Sequence, residues 1–148
     1  MKLLVDAMCG KLARYLRMCG YDAAYVLDRG LDDDEAILTA AAEWDRRLVT
    51  RDEGLAARAD DAVLLRSRDV SDQLRELRAA GFELSLDRPQ RCGRCNGPLE
   101  VVDADAPTPE YAPDPGDRQV WRCAECGQYF WRGSHWDDVA ERLADLEE

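Results

Sequence analysis

At 148 residues and 46% hydrophobic content, the chain is long enough for one ordinary domain and a small appendage around a packed core. Its formal charge of −11, from 31 acidic against 20 basic residues, excludes a binder that relies on bulk positive charge, so any nucleic-acid role must rest on a local basic patch or on metal ions. No run of about eighteen apolar residues occurs, and Asp6 interrupts the apolar N-terminus before a signal-type segment develops, which points to a cytoplasmic protein with no membrane partner.

The basic residues are almost all arginine, Lys2 and Lys11 being the only lysines, and aspartate outnumbers glutamate. This bias fits a halophilic cytosol, where carboxylates hold water and cations while salt screens their repulsion. An ordinary acidic protein is the alternative.

Taken in chain order, Lys2 to Val5 reads as a short apolar strand, with Asp6 after it either as a metal ligand or as a cap of the following turn. Lys11 to Met18 reads as a helix stopped by Gly20. Its cations Lys11, Arg14 and Arg17, at i, i+3 and i+6, form either a phosphate-facing stripe or a solvated face. Ala23 to Leu27 is a second strand, with Asp28 and Gly30 beyond it. The acidic triplet Asp32, Asp33 and Asp34 then opens a helix whose Ile37, Leu38, Ala41 and Trp44 make one apolar face.

Leu48 and Val49 form a third strand that ends on Thr50, Arg51 and Asp52. Glu53 to Arg58 is a short helix, Ala62 to Leu65 a fourth strand, and Ser71 to Ala80 a helix with Leu74 and Leu77 inward and Gly81 as its stop. This fourfold alternation argues for an α/β fold with a parallel sheet. Right-handed crossovers would put the strand ends carrying Asp6, Asp28 and Asp52 on one edge, where ligands of open parallel sheets collect.

The character changes at Pro89 to Arg91, which sets a boundary between residues 1–88 and 89–148. Cys92 and Cys95 form one C-x-x-C pair and Cys123 and Cys126 another, each followed at once or after one residue by glycine. Two such knuckles can hold structural zinc with four thiolates. Four cysteines leave no open coordination position, so the site serves structure or binding rather than catalysis, and a disulfide is the lesser alternative in a reducing cytosol. The stretch between the pairs, rich in proline and acid, reads as an exposed loop. Cys9 and Cys19 read as core thiols. In the tail, Ser134 is expected to cap a helix, with Asp137 as the capping-box acid and Val139, Leu143 and Leu146 as the buried stripe. His135, the only histidine, either contacts phosphate or a base or packs beside Trp136. Trp121, Tyr129, Phe130 and Trp131 either stack bases or cover the zinc site.

Asp6, Asp34 and Asp52 are the chosen cluster for Mg²⁺ or Mn²⁺, with Asp28, Asp32, Asp33 and Glu53 in reserve. An acid-rich chain scatters aspartates everywhere, so a purely structural role for them stays open from spacing alone.

The runs VDAMCGKLARYLRMCGYDA, LDDDEAILTAAAEWDRRLVTRD, RCGRCNGPL and WRCAECGQYFWRGSHW, in that order, resemble the Mut-seven C-terminal RNase domain family, a PIN-like nuclease domain fused to a zinc ribbon. The resemblance implies a PIN-like α/β/α sandwich followed by a small zinc ribbon and a C-terminal helix, with a metal-dependent ribonuclease site. Residue by residue it places the metal-binding acids on Asp6, Asp34 and Asp52, the basic positions of the first helix on Lys11, Arg14 and Arg17, and the ribbon ligands on the four cysteines. One departure is the fourth acid that many PIN-like domains carry shortly after the third: here Gly54 follows Glu53.

The leading expectation is therefore a Mg²⁺- or Mn²⁺-dependent ribonuclease acting on RNA, with the ribbon presenting substrate or a protein partner. A non-catalytic zinc-ribbon adaptor that binds RNA or protein is the competing one. A phosphoacceptor receiver domain fails on inventory, since such a domain uses a lysine late in its sheet and none follows Lys11.

Overall fold

The sheet is built around two short strands, Lys2–Val5 (β1) and Arg47–Thr50 (β3), each with three successive buried residues, the signature of parallel strands covered on both faces. Asp22–Tyr25 (β2) and Ala62–Leu64 (β4) flank them, giving the order β2-β1-β3-β4 with every pairing parallel. The computed structural model describes residues 1–87 and 89–146 of the chain; Arg88, at the expected boundary, and the last two residues of the expected second unit lie outside the described residues.

Because side chains alternate along a strand, the sheet sorts its apolar residues into two cores. Leu3, Val5, Ala23, Val49 and Val63 face one side. There they pack with Leu12 and Leu16 of helix Gly10–Met18 (α1), Leu74 and Leu77 of Val70–Ala79 (α4), and Val139 and Leu143 of Ser134–Asp145 (α5). Leu4, Ala24 and Leu48 face the other side, against Ile37 and Ala40 of Asp34–Glu43 (α2) and Leu55 of Glu53–Arg58 (α3). The result is an α/β/α sandwich. The last helix of the chain belongs to its first layer: besides its buried stripe, Arg142 donates to Ser71 Oγ at 2.7 Å and lies over the Tyr15 ring.

Leu99–Val101 (β5), Val120–Cys123 (β6) and Tyr129–Trp131 (β7) form a separate antiparallel sheet in the order 5-6-7, the ribbon. Two local expectations are corrected. The strand expected over Ala23 to Leu27 ends at Tyr25, where its partner β1 also ends at Val5, and Val26–Arg29 coils into a 3₁₀ turn closed by Gly30 at φ 67°. Ser134 is not the cap of α5; Gly133 holds that position with no side-chain bond. A Cβ on Gly133 would lie 2.5 Å from Trp131 Nε1, so the chain turns tightly over the indole and enters the helix one residue early.

Asparagine and arginine side chains join ribbon to sandwich. β2 is an edge strand, and its Ala23 N–H and C=O point outward. Asn96 Oδ1 accepts from Ala23 N at 2.9 Å and Arg17 Nε donates to Ala23 O at 2.8 Å, while Arg17 Nη1 donates to Gly93 O in the first knuckle at 3.0 Å. Asp22 is the ionic hub beside them. Its Oδ1 accepts from Asn96 Nδ2 at 2.6 Å and from Arg46 Nη1 at 2.8 Å, and Arg91 lies 3.6 Å from Oδ2.

Burial works to raise the Asp22 carboxyl, but the hydrogen bonds from Arg46 and Asn96 and the charges of Arg46 and Arg91 outweigh it and hold the group below its usual 3.8. A depressed carboxyl contributes its stability in full above the unfolded value and loses it as pH falls through the folded one. Thermal melts from about pH 5 down to about pH 2.5 are expected to fall more gently on the acid side for Asp22→Asn than for the parent chain. Parallel acid limbs in the two chains would show that the hub carries no pH-dependent stability.

Candidate functional site

Two donor sets, one of sulfur and one of oxygen, stand in different parts of the molecule. In the ribbon, Cys92 and Cys95 approach Cys126 and Cys123 from the opposite knuckle, with Sγ–Sγ distances of 3.6 and 3.5 Å, and the four sulfurs all lie within 4.8 Å of one another. A tetrahedron with bonds of about 2.3 Å needs sulfurs about 3.8 Å apart, so the set fits zinc. Backbone N–H groups of Cys95 and Cys126 point at Cys92 Sγ and Cys123 Sγ, each at 3.4 Å. The knuckles close through left-handed turns at Asn96 (φ 73°) and Gly127 (φ 78°), and a Cβ on Gly97 would stand 2.8 Å from Cys123 Sγ.

Burial pushes the Cys92 thiol up. It acts the same way on Cys123, where backbone N–H groups of Cys126 and Glu125 and the adjacent sulfurs outweigh it and bring the thiol down to about 7. These N–H donors favour the thiolate form at Cys123, the form that binds a thiophilic cation. Cys9 and Cys19 behave differently: burial drives them up to about 11 and about 12, as expected of inert core thiols.

The oxygen set lies at the carboxyl edge of the parallel sheet. Asp6 is 6% exposed at the end of β1, with Oδ1 accepting from Ala7 N at 2.8 Å and Oδ2 from Thr50 Oγ1 at 2.6 Å. Thr50 ends the neighbouring β3, and its Oγ1 also accepts from Asp52 N at 3.0 Å. One threonine therefore links the two acids across adjacent strand ends. Asp52 is exposed, caps α3 by accepting from Leu55 N at 3.1 Å, and lines an open cleft of about 420 Å³ with Arg51, Glu53 and Arg66.

Asp34 is exposed on the first turn of α2, where Asp33 rather than Asp34 supplies the cap, accepting from Ala36 N at 2.8 Å, and the adjacent Glu35 is bound by Arg58 of α3. Among the described residues the four cysteines are the one group of three or more ligand-type side chains within 4.8 Å. Asp6 is thus linked through Thr50 to the Asp52 backbone, and Asp6, Asp34 and Asp52 do not gather their carboxylates within 4.8 Å of one another. Of the reserve acids, Glu53 pairs with Arg66 at 3.4 Å and Asp28 with Arg17 at 3.7 Å. Burial, followed by the charges of Asp28, Cys9 and Asp6, raises the Tyr25 phenol, so Asp28 and Asp6 act on one hydroxyl. That hydroxyl donates to Ala7 O at 2.6 Å.

Of the basic stripe, Lys11 and Arg14 are exposed on α1. Arg17 is corrected: it is 3% exposed, spends its nitrogens on Ala23 O, Gly93 O and Asp28, and holds ribbon to sheet instead of facing phosphate. No sequence signal separates it from Arg14, because the surface that buries it comes from 76 positions away at Gly93. His135 is exposed and lines, with Arg14, a cleft between α1 and the ribbon. Thr50 and Asn96 were missed by reading the sequence; each is a short polar residue whose task appears only once two distant strand ends or two units meet.

Among the described residues no helix is long and apolar enough to cross a membrane. No curated protein and no solved structure matches the chain. The sequence model of the Mut7-C RNAse domain matches residues 1–143, which span the sandwich, both knuckles and nearly all of α5, and the chain therefore belongs to the Mut7-C RNAse domain family.

Proposed function

We propose that the chain is a Mg²⁺- or Mn²⁺-dependent ribonuclease of the reducing cytoplasm, working in concentrated salt, with a structural zinc in its ribbon. The observation that supports this reading is the Thr50 hydroxyl, which donates to the Asp6 carboxylate and accepts from the Asp52 backbone N–H where two adjacent parallel strands end. Carboxylate and hydroxyl oxygens are hard donors and suit these ions. Asp6 and Asp52 would hold the ion, with Asp34 as the third acid that the family resemblance assigns. When bound, the ion polarises a phosphodiester and lowers the pKa of a water.

The chain's own residues have separable tasks. Thr50 fixes the Asp6 carboxylate by donating to it, and the α3 N-terminus fixes that of Asp52. Lys11 and Arg14, exposed on the helix that follows Asp6, meet the phosphates of the strand.

The test is cleavage of end-labelled RNA by purified chain in about 1 M KCl, where nonspecific phosphate contacts are weak. Cleavage by the zinc-loaded chain is expected to be absent without an added divalent ion, to appear with Mn²⁺ and not to appear with further Zn²⁺ alone. Intact RNA under both Mg²⁺ and Mn²⁺ would overturn the reading. A second reading, a non-catalytic adaptor for RNA or a protein partner, is favoured by one observation, that among the described residues no three carboxylates gather within 4.8 Å of one another. RNA retained uncut with every divalent ion would select it.

A further inference from the structure

A second concave surface lies away from the acidic edge. It is a cleft of about 440 Å³ between α1 and the ribbon, a volume in the range of ligand sites. Arg14 and Met18 form one wall; Arg91, Arg94 and the aromatic face of β7 and early α5 form the other. Tyr129, Phe130, Trp131 and Trp136 are each only half-buried, so their rings are not consumed by a core. Tyr111, reaching in from the proline-rich loop, stands 6.3 Å from the rings of both Tyr129 and Trp131, and its hydroxyl accepts from Tyr129 N at 3.1 Å. The platform is thereby held from behind.

The charge of this cleft runs against that of the chain. Of the 148 residues 31 are acidic, yet the cleft lining contains three arginines and His135 with no aspartate or glutamate. Arg14 and Arg94 have no acidic partner among the described residues; Arg94 donates only to Gln128, at 3.3 Å. Arg132 lies over the Trp136 ring at 5.9 Å, and the rings stay only partly covered. In a protein this rich in carboxylates, guanidinium groups without an acidic partner beside part-exposed rings mark a site for an anion with flat apolar parts. Single-stranded RNA has both. An acidic peptide supplies the charge but not the rings.

We propose that this cleft binds two or more consecutive nucleotides of single-stranded RNA, stacking bases on Trp131 and Trp136 while Arg14 and Arg94 take phosphates. Arg14 sits on the nine-residue helix whose other end follows Asp6, a length of about 14 Å, with Lys11 one turn earlier. A strand seated in the cleft therefore runs along α1 toward the acidic edge. The proposal rests on RNA being the substrate and adds where the uncut strand is held. Stacking is little affected by salt, which makes it the better grip for a chain of charge −11.

The test uses the full zinc-loaded chain without added Mg²⁺ or Mn²⁺ and a fluorescently labelled oligouridylate of about 12 nucleotides, read by anisotropy and by quenching of tryptophan emission. Arg14→Gln with Arg94→Gln is expected to weaken binding by at least about tenfold in low salt. It should also lower the slope of log K against log salt by about 1.4, two single-strand phosphates' worth. Trp136→Leu is expected to weaken binding at least about fivefold and to diminish the quenching, with zinc content and melting temperature as folding controls.

Parent-like affinity and salt slope in the double arginine chain would overturn the cleft, and Arg14 as a phosphate contact with it, while Mn²⁺-dependent cleavage by the parent chain, measured separately, decides the nuclease reading. Tight stacking without cleavage would keep the cleft and remove the nuclease. Quenching by polyglutamate but not by the RNA would give the cleft to a protein partner and overturn the proposal.

Discussion

Asp52→Asn is expected to lower Mn²⁺-dependent RNA cleavage by at least about 100-fold while leaving the melting temperature nearly unchanged. The separation of the two effects follows from what each Asp52 oxygen does. Oδ1 accepts from Leu55 N and caps α3, a task that asparagine performs as well as aspartate. What asparagine cannot supply is the negative charge that a divalent ion requires. Cleavage of labelled RNA beside a thermal melt checks both halves, and undiminished turnover would remove Asp52 from the site.

Asp6→Asn is the poorer probe. Both of its oxygens accept hydrogen bonds in a buried place, and an amide can accept only through one, leaving Thr50 Oγ1 or Ala7 N facing an NH₂ group. A stability loss of about 1–3 kcal/mol would accompany any loss of activity. Asp34→Asn carries no such burden, since Asp33 caps α2 and Asp34 is exposed, so its effect on cleavage decides whether the third acid serves the ion at all. A large loss is expected.

The second large effect lies in the ribbon. Cys92→Ala is expected to abolish zinc retention, measured as metal per chain after dialysis, and to unfold residues around both knuckles. The ribbon's three short strands bury few large side chains of their own, Val120 and Trp121 among them, so a metal held by the four cysteines would supply folding energy that a core of this size lacks. The loss should spread to the sandwich, because Gly93 O and the Asn96 side chain are anchors for Arg17 and for β2. A variant that keeps one equivalent of zinc and the parent melting temperature would show that three thiolates and water suffice.

The sequence disclosed most of the sandwich because its elements are specified locally. Strand Lys2–Val5 and helix Glu53–Arg58 fall where apolar runs and caps place them, and the four-cysteine spacing announced its own geometry. Where the reading failed, the deciding neighbour was remote in sequence. Arg17 shares a spacing pattern with Lys11 and Arg14, yet the knuckle carbonyl that it binds lies 76 positions further along the chain. The end of β2 at Tyr25 is set by where β1 stops, and the start of α5 by an indole two residues before Gly133. The acidic edge was legible as a list of carboxylates and not as an arrangement: no pattern revealed that Thr50 would tie Asp6 to Asp52 or that Asp33 would take the capping role from Asp34.

The way Asn96 and Arg17 occupy the outer N–H and C=O of Ala23 reaches beyond holding two units together. An outermost strand with free amides is a template on which a second molecule can lay its own strand. Here the molecule plugs that template with a side chain positioned by its own first cysteine knuckle. A chain whose four cysteines let go of their knuckles would expose a docking rail for its siblings, and self-association would follow.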